Sequence, residues 1–246
     1  MKPKTIFILL ICSLLAYTVM GQSTIDFERR LYISYVNGEI TEWKDIILDM
    51  TKKYEQQNDK ELLYSLCFAQ YGYIGYCLSK DLEKAADEFL HDLAKNTKKL
   101  DDIYNSRHDI LALRGAILGY RMVLSKFSAI YLGPKASSLI NAASESSDKY
   151  FNCSLEMGNM LFYTPKIMGG SKQEAITYYQ KAVELIEKST LKENRNWIYI
   201  NTLLTLANAY SETGDKDLAC DIYARLMEYE PRAIWIRDDL YVKCKK

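Results

Sequence analysis

Apolar residues recur at the three- and four-residue spacing of one helix face in nearly every segment after Ser23. No stretch shows the sustained apolar–polar alternation of a strand, and none shows the turn signals that join two strands into a hairpin. The pattern therefore predicts an all-α protein.

Capping residues indicate where several helices begin and end. Three early helices are expected at residues 42–56, 59–79 and 81–95. One long helix should follow to about Tyr131, and Gly133 with Pro134 should end one helix and start another. Ser171 with Glu174 forms a capping box before a later amphipathic run.

A segment near the C-terminus, NTLLTLANAYSETGDKDLACDIYARLMEYEP, resembles a tetratricopeptide repeat (TPR). The residues at the positions of the repeat pattern are Leu203, Leu206, Ala207, Tyr210, Ala219, Tyr223 and Pro231, with Gly214 at the turn. The segment departs from the pattern at Leu203, where a TPR has tryptophan. The resemblance implies a helical hairpin whose second helix carries a small residue and a large one four positions later.

Three weaker copies of that second-helix motif precede this segment. They are Ala85 with Phe89, Ala136 with Ile140 and Ala143, and Ala175 with Tyr179 and Ala182. Successive alanines are 51, 39 and 44 residues apart, which is longer than a standard repeat. We therefore expect residues 22–246 to form one TPR-like α-solenoid of about four degenerate hairpins plus flanking helices. Arrays of this kind bind peptides or protein segments in a concave groove.

The turn before Ala175 is enlarged to FYTPKIMGGSKQEA. It is similar to a Tyr-x-Pro-x-x-hydrophobe-Gly-Gly signature in exported bacterial TPR-like proteins. The matching residues are Tyr163, Pro165, Met168, Gly169, Gly170 and Ala175. The resemblance implies an exported protein and brings no catalytic residues with it.

Two interpretations of this turn are open. Pro165 stiffens the chain and the two glycines permit positive φ, so the turn could present Tyr163, Lys166 and Met168 to a partner. Alternatively, Ile167 and Met168 fold back to cover the end of the core. The second interpretation is favoured at this stage because an exposed Ile–Met pair on a soluble protein needs burying.

The N-terminus has the pattern of a secretory signal peptide over residues 1–21. Lys2 and Lys4 precede an apolar run of about 15 residues, shorter than the ~20 needed to span a bilayer, and Gly21 supplies a small residue for cleavage. The mature chain should begin at Gln22. We expect a periplasmic or secreted protein without stable membrane insertion.

Charge gives no sign of a polyanionic partner. Loss of Lys2 and Lys4 leaves 30 basic residues against 32 acidic ones, with no long run of either sign. The balance indicates neither nucleic acid nor an anionic membrane surface as a partner.

Five cysteines remain after cleavage: Cys67, Cys77, Cys153, Cys220 and Cys244. An odd number leaves at least one unpaired. Cys67 and Cys77 share a predicted helix, which would set them ~15 Å apart, beyond the ~7 Å limit for a disulfide. Sparse cysteines in a large helical chain are typical of small core residues, and Cys220 with Cys244 is the most plausible bridge.

Tyrosines are abundant, with 20 in the chain. Tyr71, Tyr73 and Tyr76 could line a pocket, but Tyr71 and Tyr73 cannot face the same side of a helix. The interleaved Gly72 and Gly75 favour close helix contact with the rings packed around it.

Catalytic motifs are not found. The two histidines, His91 and His108, occur in no HExxH, phosphate-loop or nucleophile-elbow context. Asp87 and His91 lie four apart on one helix face, which is an incomplete metal site. The sequence therefore predicts no enzyme activity, no cofactor and no metal.

Three functions from different classes remain at this stage. The leading hypothesis is an exported scaffold that binds a protein or peptide partner. The second is a small-molecule-binding component similar to the TPR-like proteins of TRAP transporters. The third is a hydrolase with carboxylates or a nucleophile converging across distant helices.

The signal-peptide interpretation makes a direct prediction about the mature chain. The intact mass of the natively produced protein should match a chain that starts at Gln22. A retained Met1, or a lipid-modified Cys12, would contradict it.

Overall fold

A computed structural model describes residues 24–244, and the predicted signal peptide at residues 1–21 lies outside that range. Within the described residues there are helices and no strand, so the all-α prediction is confirmed. The helices are α1 (residues 24–37), α2 (Trp43–Gln57), α3 (Lys60–Ser79), α4 (Glu83–Tyr104), α5 (His108–Leu124), α6 (Ala129–Ser144), α7 (Phe151–Tyr163), α8 (Lys172–Glu187), α9 (Thr190–Glu193), α10 (Trp197–Thr213), α11 (Lys216–Tyr229) and α12 (Val242–Cys244). A π-helical segment, Ile236–Tyr241, precedes α12.

Four helical hairpins form the body of the fold. The pairs α3–α4, α5–α6, α7–α8 and α10–α11 pack closely, and α4 with α5, α5 and α6 with α7, and α8 with α10 join one hairpin to the next. Helices α1 and α2 precede the first hairpin. The expected number of about four hairpins with flanking helices is therefore confirmed. None of the described helices is long and apolar enough to cross a bilayer.

Several helix ends follow the predicted caps. The side chain of Asp59 accepts a hydrogen bond from the backbone N–H of Glu61 at 2.9 Å. Ser171 accepts one from the N–H of Glu174 at 3.2 Å. Gly214 ends α10 in the left-handed region with a φ of 95°. These local signals fixed the helix ends because each satisfies backbone groups that the helix itself leaves unpaired.

Three predicted boundaries are wrong. The helix expected to end at residue 95 continues to Tyr104 as α4. The long helix expected to follow it to Tyr131 is interrupted twice: Asn105 and Ser106 adopt positive φ values of 49° and 55° and stop α4, and α5 ends at Leu124. Gly133 and Pro134 do not separate two helices, since both lie inside α6. Pro134 is exposed in the second turn of that helix, where the carbonyl that loses its partner can be hydrated.

The small residues of the repeat motif are buried at helix contacts in three of the hairpins. The buried members are Ala136, Ala143, Ala175, Ala182 and Ala219. In α4 the fully buried alanine is Ala86, whereas Ala85 is only half-buried. The buried stripe of α4 runs through Ala86, Phe89 and Leu93, so Phe89 is buried as expected and the small residue at the contact is Ala86.

Close contact between α7 and α8 depends on Gly158. A Cβ atom at this position would lie 2.6 Å from the ring of Tyr179. The ring of Tyr179 thus packs directly on the backbone of α7, and its hydroxyl donates a hydrogen bond to Asn159 Oδ1 at 3.0 Å. Tyr179 therefore fills the space between α7 and α8, and its hydroxyl has a hydrogen-bond partner there.

Four aromatic residues from distant parts of the chain meet in the interior. Tyr35 lies 6.0 Å from Trp43, 6.0 Å from Trp197 and 5.9 Å from Trp235, measured between ring centroids. Trp43 and Trp197 pack edge to face at 4.8 Å. A Cβ atom on Gly72 of α3 would lie within 2.7 Å of both indoles. This aromatic cluster joins α1, α2, α3, α10 and the C-terminal segment, and it fills the interior where α3 faces α10.

A buried carboxylate, that of Glu230, connects the N-terminal helix α1 to the C-terminal part of the chain. Glu230 accepts hydrogen bonds from the Tyr32 hydroxyl at 2.7 Å and from Arg195 at 2.8 Å. Arg232 binds both carboxylate oxygens, at 2.8 and 2.7 Å. Arg232, followed by the Tyr32 hydroxyl, lowers the pKa of Glu230 to about 2. The ion group holds α1 against the chain that follows α11.

Cys220 and Cys244 form a disulfide that joins α11 to α12, with the two Cα atoms 5.6 Å apart, so these two are not the free core residues that the sequence favoured. Cys67, Cys77 and Cys153 are free and buried, as expected for small core residues. Burial raises the pKa of the Cys67 and Cys153 thiols to about 12, which disfavours the reactive thiolate.

The alanine contacts can be tested by overpacking. Replacing Ala175 or Ala219 with leucine should lower the free energy of unfolding by ~1–3 kcal/mol, because the added methyl groups have no space at a helix contact. The matched control is Lys216→Leu at an exposed position of α11, which should change stability by less than about 0.5 kcal/mol. Urea denaturation measures all three, and equal stability would show that the alanines are not contact positions.

Candidate functional site

The chain between α7 and α8 forms a turn with its own hydrogen bonds, here called the α7–α8 turn (residues 163–171). Pro165 has a φ of −57° and leads into a single 3-10 turn at Lys166–Met168. The N–H of Gly170 donates to the carbonyl of Pro165 at 3.2 Å, and the N–H of Ser171 donates to that of Leu161 at 2.9 Å. These bonds close the base of the turn and hold it in one shape.

Both glycines are required by this geometry. Gly169 has a φ of 93°, in the left-handed region that disfavours residues with a Cβ. A Cβ on Gly170 would lie 1.7 Å from the carbonyl oxygen of Thr164, so no side chain fits there. The turn thus requires glycine at position 169 because of its positive φ, and at position 170 because a side chain would clash with the backbone.

The apolar side chains of the turn point to solvent. Ile167 is 95% exposed, Met168 74% and Tyr163 73%, and Lys166 is also exposed. The expectation that Ile167 and Met168 fold back over the core is therefore wrong. Phe162 is buried at this end of the core and closes it in their place.

Charged groups border the exposed side chains. The ammonium of Lys172 lies 2.6 Å from a carboxylate oxygen of Glu212 and 4.9 Å from the centroid of the Phe162 ring. The Tyr163 ring packs edge-on against Phe162 at 5.1 Å. An apolar surface with a polar rim of this kind is the arrangement of protein interfaces.

A second exposed apolar group lies at the tip of the α5–α6 hairpin. Phe127 is 90% exposed and Ile130 84%, and Tyr131 and Val123 are exposed as well. The sequence interpretation missed this tip because it placed Phe127 within one long helix. The observable signal was the polar pair Ser125–Lys126 directly before the apolar run.

A buried carboxylic acid links α3 to α7. Glu156 accepts hydrogen bonds from the Tyr71 hydroxyl at 2.6 Å and from the Asn159 amide at 3.2 Å, and Tyr120 donates to the carbonyl of Tyr71 at 3.1 Å. Loss of hydration raises the pKa of Glu156 to about 7, since no cation offsets it.

A carboxyl group of that pKa suits proton transfer, but the geometry here indicates a structural role. Both oxygens of Glu156 are occupied by protein donors, and the side chain is buried. Tyr73 is also buried, with its ring 4.7 Å from that of Phe89. The core-packing interpretation of these tyrosines therefore agrees with their positions.

The Asp87–His91 pair lies on an exposed face of α4. Over residues 24–244, no group of three or more His, Cys, Asp or Glu side chains could hold a metal ion.

The raised pKa of Glu156 predicts a pH dependence of stability. In the folded state the acid holds its proton up to about pH 7, and in the unfolded chain only to about pH 4.5. The folded state thus binds more protons between these values, so the free energy of unfolding should fall as the pH rises from about 4.5 to 7.

Glu156→Gln should remove this slope and raise stability at pH 8 by about 3 kcal/mol at most. Urea denaturation at pH 4.5, 6 and 8 measures it, with exposed Glu88→Gln as the control that should keep the wild-type slope. An unchanged slope in Glu156→Gln would contradict the assignment.

Comparisons with known proteins agree with this architecture. A tetratricopeptide-repeat family model matches residues 202–233, which covers the segment identified from Leu203 to Pro231. The solved structure of the HusA haemophore from Porphyromonas gingivalis is similar, with a TM-score of 0.57 and 18% sequence identity. The similarity covers 74% of this chain and 94% of that one. No curated protein matches the sequence significantly.

At 18% identity the structural similarity concerns the fold, and the sequence match concerns one repeat. Together with the four stacked hairpins, they show that the chain has an all-α TPR-like solenoid fold.

Proposed function

We propose that this protein is an exported, non-catalytic binding protein, and that its α7–α8 turn binds a segment of a partner protein. The observation that carries the proposal is the exposure of Tyr163, Ile167 and Met168 on a turn of fixed shape. Isolated exposed apolar residues are ordinary on a protein surface, but three on one short hydrogen-bonded turn are typical of a contact surface.

The chemistry of the turn suits recognition of a protein segment. A tyrosine offers a large rigid surface with a hydroxyl at its end, and a methionine adapts to irregular apolar surfaces. Lys166 adds a cation beside them. Because the backbone of the turn is already held by hydrogen bonds, little conformational entropy is lost when a partner binds.

The interior packing supports this location of the site. TPR arrays commonly use the concave side, but here the aromatic cluster fills the interior where α3 faces α10. We therefore propose the contact at the α7–α8 turn, outside this filled interior.

Four observations support export or a non-catalytic role. Residues 1–21 have the pattern of a signal peptide, and the turn has the signature of exported bacterial TPR-like proteins. A disulfide such as Cys220–Cys244 is typical of oxidising compartments. The similar structure is described as a haemophore, a description that names a binding role.

The proposal predicts that the turn matters for affinity and not for folding. Replacing Tyr163, Lys166 and Met168 together with alanine should weaken partner binding by ~2 kcal/mol or more, about thirtyfold, because exposed anchors of an interface are lost. The melting temperature should change little. Cross-linking in the native organism first identifies the partner, and titration with that purified partner then measures affinity.

The matched control replaces two exposed apolar residues and one exposed lysine elsewhere: Leu48→Ala, Ile103→Ala and Lys98→Ala. This variant should bind as the wild type does. A sharp fall in melting temperature for the turn variant, with unchanged binding per folded molecule, would make the turn structural and sink the proposal.

A further inference from the structure

An open groove of about 610 Å³ lies between α4, α5 and α6, on a different hairpin from the α7–α8 turn. Its apolar lining comes from all three helices: Ala94, Ile117, Leu118, Pro134 and Leu139. Small-molecule sites in proteins have volumes of roughly 300–1,000 Å³ and are mostly apolar with a few polar groups. The groove has the size and lining of such a site.

We propose that this groove binds a small molecule with an apolar body and a carboxylate. The body would lie on Ile117, Leu118 and Leu139, and the carboxylate would lie between Arg121 and Lys135. The proposal does not depend on a partner at the α7–α8 turn.

The positive charge of the groove favours an anionic ligand. Three of them line it, and no acidic residue does. Arg114 is neutralised by Asp101, with a nitrogen–oxygen distance of 2.8 Å. Among the described residues, the side-chain nitrogens of Arg121 and Lys135 have no ion-pair or hydrogen-bond partner, so both can bind a carboxylate.

The surrounding sequence reinforces this charge. Residues 110–144 contain four basic residues and no aspartate or glutamate, although the whole chain has equal numbers of basic and acidic residues. The nearest acids border the depression on the other side of Arg121, and they are Asp87, Glu88 and Asp92 of α4. They repel an anion from that side, which favours a carboxylate position toward Lys135.

The apolar surface continues past the end of the groove. Ile130 and Tyr131 lie four residues before Pro134 and Lys135 in α6, so each pair shares a face of the helix. Both residues are exposed, at 84% and 61%, and Phe127 is beside them in sequence. An apolar body longer than the groove can therefore remain in contact with the protein beyond it.

Two fluorescent carboxylates of different shape test the proposal on the mature chain: cis-parinarate, a flexible chain, and 1-pyrenebutyrate, a flat ring. At least one should bind with saturation, and which one binds assigns the body as chain or ring. Its uncharged methyl ester should bind at least tenfold more weakly, because the ester cannot pair with the cations.

The variant Arg121→Gln with Lys135→Gln should weaken binding of the acid at least tenfold and leave the ester unchanged. Both positions are exposed, so a thermal melt should match the wild type. The control Lys98→Gln with Lys216→Gln removes two exposed cations outside the groove and should bind normally.

Equal binding of acid and ester, or equal weakening by the control variant, would overturn the proposal. Failure of both probes to bind would also overturn it. If neither probe binds and the Arg121→Gln, Lys135→Gln variant loses affinity for a protein partner, the groove binds a protein segment and not a small carboxylate.

Discussion

The contact between the two ends of the chain is the constraint on which the rest of the structure depends. Trp43 follows the first described helix and Trp197 opens the last hairpin, yet their rings pack edge to face at 4.8 Å, with Tyr35 against both. Aromatic pairs of this kind contribute about 0.5–1.5 kcal/mol each beyond their buried area. Gly72 allows both indoles to reach the backbone of α3. A repeat array needs capped ends because each terminal hairpin has an unpaired apolar face, and here the two ends provide this cover for each other.

The closed interior changes where such a protein can bind a partner. Trp43 and Trp197 of the aromatic cluster are buried in the space between α3 and α10, so a partner cannot enter there. Apolar residues remain exposed at the tips of hairpins instead, in the α7–α8 turn and at Phe127 and Ile130. The α7–α8 turn and the connection that contains Phe127 are short, and hydrogen bonds hold their backbone, while Ile130 lies in the first turn of α6. Recognition on connections that a rigid scaffold holds in place is common among proteins.

Local signals in the sequence predicted the helical class, the hairpin count and several caps, because a cap or a small contact residue acts within a few positions of itself. Ser171 and Gly214 are examples. The sequence left the Cys220–Cys244 bridge open, because a disulfide depends on how two helices meet. The sequence did not predict that α4 stops at Asn105, since asparagine adopts positive φ only where the tertiary structure favours it.

Features that depend on distant residues were beyond sequence reasoning. The exposure of Ile167 follows from Phe162 closing the core, and the meeting of Trp43 with Trp197 has no local signal. The balanced net charge of the whole chain gave no sign of the basic hairpin at residues 110–144, because acidic residues elsewhere offset its charge. The pKa values of the two buried glutamates, Glu230 and Glu156, also depend on residues distant in sequence. Arg232 lowers the pKa of Glu230 to about 2, so its stabilisation is present above about pH 4.5 and is lost only as the pH falls toward 2. Glu156 has only neutral donors and its pKa rises to about 7, so its stabilisation is lost as the pH rises. At neutral pH the ionised Glu230 therefore stabilises the contact between the chain ends. The contact of α3 with α7, the helix that carries Tyr163, is instead weakened when Glu156 loses its proton.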